Sequence, residues 1–119
     1  MNTLRVRVQT YDDTIAEVEA RAAMAAAGRA VEDRSTFTFD NWSVLVKTLS
    51  ATRMEIIRAM SGRGAMSVRE IARRVGRDVK NVHGDLDALA KSGLVDKGDS
   101  GFEFPFDRIH VEVDIEAAA

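Results

Sequence analysis

The chain has 119 residues, of which 30% are charged, a net charge of −2 and no cysteine. That length suits one compact domain that buries about two-thirds of its surface without a disulfide or metal staple. Thiol catalysis, zinc ribbons and disulfide frameworks are excluded, and no apolar run approaches the roughly 18 residues of a membrane span. Arg5 and Arg7 interrupt the apolar residues that a signal peptide would need. The expectation is a cytoplasmic protein with no membrane partner and no cofactor.

Charge is unevenly spread. Residues 1–60 carry eight basic and eight acidic side chains. Residues 61–97 carry eight basic and five acidic, net +3, and residues 98–119 one basic and six acidic, net −5. A surface that meets phosphate needs local positive charge, not a basic whole, so the middle of the chain is the place to look.

In chain order, Leu4, Val6 and Val8 alternate with Arg5, Arg7 and Gln9, the period of a half-buried strand. Thr14 and Glu17 form a capping box, with Asp12 and Asp13 favouring the positive helix end. An alanine-rich helix is predicted to about Gly28, with Ile15, Val18, Ala22, Ala25 and Ala26 along one side. Small side chains bury little, so this helix needs a sheet or a second subunit to lie on. Residues 32–35 read as a loop, and Phe37 and Phe39 as a short strand. Asp40 is placed to cap a helix carrying Trp42, Leu45, Val46 and Leu49 on its apolar face. Ser50 caps the next, with Met54, Ile57 and Met60 three apart. Gly62-Arg63-Gly64 is a turn and lacks the Gly-Lys-Ser/Thr ending of a phosphate-binding loop.

Ser67 and Glu70 form a second capping box, opening a helix with Val68, Ile71, Ala72 and Val75 inward. Gly76 ends it, where a left-handed backbone favours glycine. Asp78 then caps a helix whose apolar residues are Val79, Val82, Leu86 and Leu89. Ala72, Gly76 and Val82 supply the small residue, turn glycine and buried β-branched residue that a helix-turn-helix requires. Gly93-Leu94-Val95 leads into a strand, residues 97–101 form a hairpin tip with Lys97, and residues 102–104 return. Helix, helix, hairpin is the winged version of the motif. The predicted fold is α+β: a three-helix winged helix-turn-helix over residues 37–106, an N-terminal strand and helix over 1–36 as a dimerisation element, and a C-terminal strand and acidic tail over 107–119 for dimer or partner contact.

The stretch SVREIARRVGRDVKNVHGDLDAL (residues 67–89), followed by Gly93-Leu94-Val95, resembles the MarR-like winged-helix transcriptional regulators of bacteria and archaea. The ending FPFDRIHVEV (residues 104–113) and the opening LRVRV (residues 4–8) resemble the same group. The likeness is strongest over residues 50–113. It implies a dimeric DNA-binding regulator, and some such regulators look like the antitoxin halves of toxin–antitoxin pairs. Gly84 departs from the pattern, standing where a large, often basic residue is expected. It costs about 1 kcal/mol of helix stability.

Removing the apolar stripe from the last helix leaves Lys80, Asn81, His83, Gly84, Asp87 and Lys91 outward. The N-terminal part of a recognition helix meets base edges, so Lys80, Asn81 and His83 are the expected readers. Arg69, Arg73, Arg74 and Arg77 are expected on phosphate, with Ser67 either capping its helix or meeting phosphate there. Asp85 would repel phosphate and is expected to pair internally with an arginine of the preceding helix. His110, Glu112 and Asp114 alternate on one strand face, read as solvated rather than metal-binding. Ile109, Val111, Val113 and Ile115 form the opposite, apolar face. Their partner is the Leu4, Val6 and Val8 strand, within the chain or across a dimer, or another protein. No catalytic spacing is present, and no enzyme activity is expected. The functional expectation is a dimeric repressor that reads the major groove with residues 78–91. The alternative is an antitoxin-type module that neutralises a toxin partner through its C-terminal region.

Overall fold

A computed structural model of the chain describes residues 1–8, 18–20, 22 and 35–115. The Thr14 capping box, most of the alanine-rich helix and the loop from Glu32 fall outside the described residues, although residues 18–20 and 22 are helical. The elements run β1 (Thr3–Val8), β2 (Thr36–Phe39), α1 (Trp42–Thr48), α2 (Ala51–Met60), α3 (Val68–Val75), α4 (Val79–Ser92), β3 (Asp96–Gly98), β4 (Gly101–Glu103) and β5 (Arg108–Glu112). The fold is α+β, and no helix among the described residues is long and apolar enough to cross a membrane.

Side-chain caps set the helix starts. The side-chain oxygens of Asn41, Ser50, Ser67 and Asp78 accept from the N–H groups of Val44, Arg53, Glu70 and Asn81. Asn41 thus takes the position expected of Asp40. Gly76 closes α3 at φ 69° and Gly93 closes α4 at φ 92°, both left-handed.

Strands β1, β2 and β5 form one parallel sheet in the order β2-β1-β5. Leu4 faces Ile109 and Val6 faces Val111 on one side, and Val6 faces Phe37 and Val8 faces Phe39 on the other. The C-terminal strand therefore finds its partner within the chain. The elements expected to stand apart at 1–36 and 107–119 join a single sheet. One face of that sheet is apolar, and Leu4, Val6 and Phe39 enter the core. The other presents Thr3, Arg5, Arg7, Thr36, Thr38, Arg108, His110 and Glu112.

The core gathers Leu45 and Leu49, Ile56, Ile57 and Met60, Ile71 and Ala72, Val82, Leu86 and Leu89, then Leu94, Val95, Phe102 and Phe104. Three expected inward residues lie outside it. Trp42 and Val46 of α1 are 52% and 45% exposed, and Val79 at the start of α4 is 43% exposed. The buried stripe is narrow: Leu45 is the one buried residue within α1, and burial in α4 starts at Val82.

The hairpin β3–β4 turns at Asp99 and Ser100, which places Lys97 within β3 rather than at the tip. It is fastened to the entrance of α3 by reciprocal bonds between Met66 and Phe102, each 2.8 Å. Gly101 makes this approach possible. Its φ is 122°, and a Cβ there would collide with the backbone of Met66. After Phe104 the chain turns back through Asp107. Its N–H donates to the Asn2 carbonyl (2.8 Å) while its carboxylate accepts from the Asn2 N–H (3.0 Å). These bonds deliver β5 to β1.

Two glycines should respond oppositely to alanine. Gly101→Ala combines positive-φ strain with overpacking and should cost about 2–4 kcal/mol. Gly84 has open space where its Cβ would stand, so Gly84→Ala should stabilise α4 by about 1 kcal/mol. Urea denaturation of both variants measures the two effects. Equal effects of the same sign would contradict this account of the hairpin.

Candidate nucleic-acid interface

Helix α4 is amphipathic in a way that divides its surface. Val82, Leu86 and Leu89 are fully buried, whereas Lys80, Asn81, His83, Gly84 and Lys91 are exposed. Lys80, Lys91 and the Asn81 side chain have no hydrogen-bond or ion-pair partner among the described residues, and neither does Arg69 on α3. Their polar groups are spent on water. The exposed start of α4, the exposed side of α3 and the hairpin form one region of the surface, joined by contacts described below.

The rotation of α4 about its axis is held by Asp85. One carboxylate oxygen accepts from Arg53 Nε of α2 at 3.2 Å, and the other from Arg77 Nη1 of the turn at 3.0 Å. All three side chains are less than a third exposed, so the pairs are partly shielded from solvent screening. Arg53 also donates to the carbonyls of Lys47 and Thr48 at the end of α1. One guanidinium and one carboxylate thereby tie α1, α2, the turn and α4 together. The expected internal partner of Asp85 exists, but it is the turn residue Arg77 with Arg53 from a helix further back. Arg77, expected on phosphate, is engaged here.

On α3, the Glu70 carboxylate turns forward rather than back to its cap. It accepts from Arg73 at 2.6 and 3.1 Å and from Arg74 at 2.9 Å. The Arg73 hydrogen bonds are the main cause that holds the Glu70 carboxyl below the usual glutamate range, with Arg74 adding to it. Arg73 and Arg74 are therefore half-neutralised in place, although Arg73 remains 70% exposed. Ser67 Oγ serves as the helix cap.

The hairpin is drawn to α4 through Asp87. His83 Nδ1 lies 3.7 Å and Lys97 Nζ 3.5 Å from its two oxygens. The Lys97 ammonium also sits 5.6 Å from the centre of the Phe102 ring, and His83 meets that ring edge-on. Asp87, read from sequence only as an outward acid, thus joins helix and hairpin. Behind α3, Arg58, Arg63 and Arg74 line an open groove of about 370 Å³ with Glu55. Arg58 and Arg63 were not among the expected residues, because neither lies in the two-helix motif. The basic balance of residues 61–97 was a signal for Arg63 alone, since Arg58 lies in the charge-balanced first sixty residues. His110 and Arg5 both engage Glu112, at 3.1 and 2.8 Å. Among the described residues no group of three or more His, Cys, Asp or Glu is placed to hold a metal.

Residues 48–111 match the model of the HVO_A0114 family, more than half of the chain, and the chain belongs to that family. The match runs from the end of α1 through β5 and so takes in the whole exposed region. No curated protein and no solved structure matches the chain.

Removing Asp85 should leave two partly buried guanidinium groups without their carboxylate. Asp85→Ala is expected to cost about 1–3 kcal/mol, whereas Lys80→Ala, with no partner to lose, should stay within about 0.5 kcal/mol. Chemical denaturation of the two variants checks this, and equal stabilities would remove Asp85 as the fixing residue.

Proposed function

We propose that this member of the HVO_A0114 family is a sequence-specific DNA-binding regulator of transcription, a repressor acting as a dimer. In this reading α3, the Gly76 turn and α4 are a helix-turn-helix, and β3–β4 is its wing. The observation that carries it is the exposed, unpartnered start of α4 beside a locally basic surface. Polar side chains that no internal contact requires are arranged on the end of a helix whose other face is locked into the core.

Roles follow from chemistry. Asn81 has the amide that pairs bidentately with adenine, and Lys80 donates to guanine. His83 lies on the same exposed side. Arg69 is free for phosphate, and Arg73 is exposed although it is paired with Glu70. Lys97 and Lys91 supply charge beside the wing. The resemblance of residues 67–89 to MarR-like regulators supports the same reading. Glu70 then acts as a brake on non-specific affinity, since its one carboxylate is shared between two guanidinium groups that would otherwise meet phosphate.

The test is fluorescence anisotropy of the full chain with DNA from upstream of its own gene and with unrelated DNA, at two salt concentrations. A preference of about a thousandfold with a steep salt dependence is expected. Asn81→Ala should lose about 1–3 kcal/mol on the preferred site and little on unrelated DNA. Glu70→Gln should tighten binding to both and steepen the salt slope by about one to two counterions. Equally weak binding to both DNAs by the native chain would overturn the reading.

A further inference from the structure

Strand β5 is an edge. In the order β2-β1-β5 it has β1 on one side and nothing described on the other. Which backbone groups face outward follows from one bond. Arg108 N–H donates to the Asn2 carbonyl at 3.2 Å, and Arg108 lies opposite Thr3 in a parallel register. In a parallel ladder a residue bonded this way turns both its N–H and its C=O toward the neighbour, and the alternation then repeats. Arg108, His110 and Glu112 therefore bond toward β1, and Ile109 and Val111 offer N–H and C=O to the open side.

The side chains along this edge are self-complementary. The upper face reads Arg108, His110, Glu112 and then Asp114, from positive to negative. Laid antiparallel on a second copy with the two-fold axis at His110, Arg108 faces Glu112 of the other copy, twice. With the axis at Val111, Arg108 faces Asp114 and His110 faces Glu112. Both registers put Ile109 and Val111 in hydrogen-bonding positions and set opposite charges against each other. A parallel alignment in register sets like against like. Arg108 has no ion-pair partner among the described residues. On the lower face Val111 is 38% exposed although its strand belongs to a sheet whose apolar side enters the core. The edge has neither a proline nor a lysine to discourage pairing.

We infer that two copies of the chain pair antiparallel through the open edge of β5, joining two three-stranded sheets into one six-stranded sheet with opposite charges matched across the two-fold axis. This deepens the dimer in the reading above but does not depend on DNA binding, because the pairing is between copies of the protein alone.

Sedimentation velocity of the full chain without DNA tests it. The native chain should sediment as a dimer over about a hundredfold range of concentration. Val111→Pro removes an N–H that faces away from β1, so it should leave the fold intact by circular dichroism and yield a monomer. Arg108→Glu, a change on an exposed side chain, should weaken dimerisation by about tenfold or more, since two symmetry-related pairs change from attraction to repulsion. The chain has no cysteine of its own, so single cysteines report the register. Oxidation of His110→Cys or of Val111→Cys should give a covalent dimer. A native chain that is monomeric throughout, or that gains mass only with a different protein, overturns the inference. So does a folded Arg108→Glu dimer as tight as the native one with neither cysteine cross-linking. Loss of DNA preference with the dimer intact would overturn only the DNA-binding reading.

Discussion

What α4 can present to any ligand depends on how far it is turned about its own axis, and the carboxylate of Asp85 holds that angle. The apolar stripe of Val82, Leu86 and Leu89 also restrains the helix. Hydrophobic contact is not directional, and a core of aliphatic side chains tolerates small rotations. Two charge-assisted bonds from different elements do not. Partly buried ion pairs of this kind contribute little net stability after desolvation. Their effect is to select one orientation, in which Lys80 and Asn81 are exposed and His83 lies between solvent and the hairpin. The same guanidinium of Arg53 reaches the end of α1, so the orientation is shared with α1 and α2.

The sheet contributes a second constraint. Parallel sheets are usually covered on both faces; among the described residues this one packs its apolar face on the core and carries polar side chains on the other. Such a sheet is held by its apolar face and by the bonds that deliver β5 to β1. The latch between Asn2 and Asp107 is therefore as necessary as the strands, since it sets the register that puts Leu4 beside Ile109. Among the described residues this arrangement leaves β5 as an edge.

Local signals in the sequence were legible where the physics is local. The caps Ser50, Ser67 and Asp78 and the terminal Gly76 each act within a few residues, and each stands where the pattern of side chains places it. Depth of burial was less legible. Trp42, Val46 and Val79 sit on the apolar period of their helices, but period fixes a face and not what lies against it. Long-range pairing was half legible. The apolar alternation of residues 4–8 and 109–115 marked two strands that needed partners. Their parallel register is set by the Asp107 turn, roughly a hundred residues from Asn2, and no spacing announces that. Asp85 shows the same division. An acid beside a basic surface had to be paired, but Arg53, thirty-two residues away, becomes its partner only after three helices have packed. Of the candidate site, the residues that stand alone were read correctly as outward, and those that pair with one another were read one at a time.

Gly84 lies on the surface of α4 that the first constraint exposes. The fold does not require it, because open space lies where its Cβ would stand, and a glycine inside a helix weakens that helix. Stability alone would replace it. It lies next to His83, on the side of α4 that Asp85 turns outward, and leaves the helix backbone bare at that point. On the DNA-binding reading a bare backbone lets the helix sit deeper in a groove, while a large basic side chain at the same place would hold it off and add a sequence-blind contact. Glu70 works in the same direction by sharing its one negative charge between Arg73 and Arg74. On the same reading both features would lower affinity that does not depend on sequence and leave the contribution of Lys80 and Asn81 untouched. On that reading the polar atoms on α4 would carry the choice of sequence, and the surrounding charge would be just sufficient to bring DNA to them.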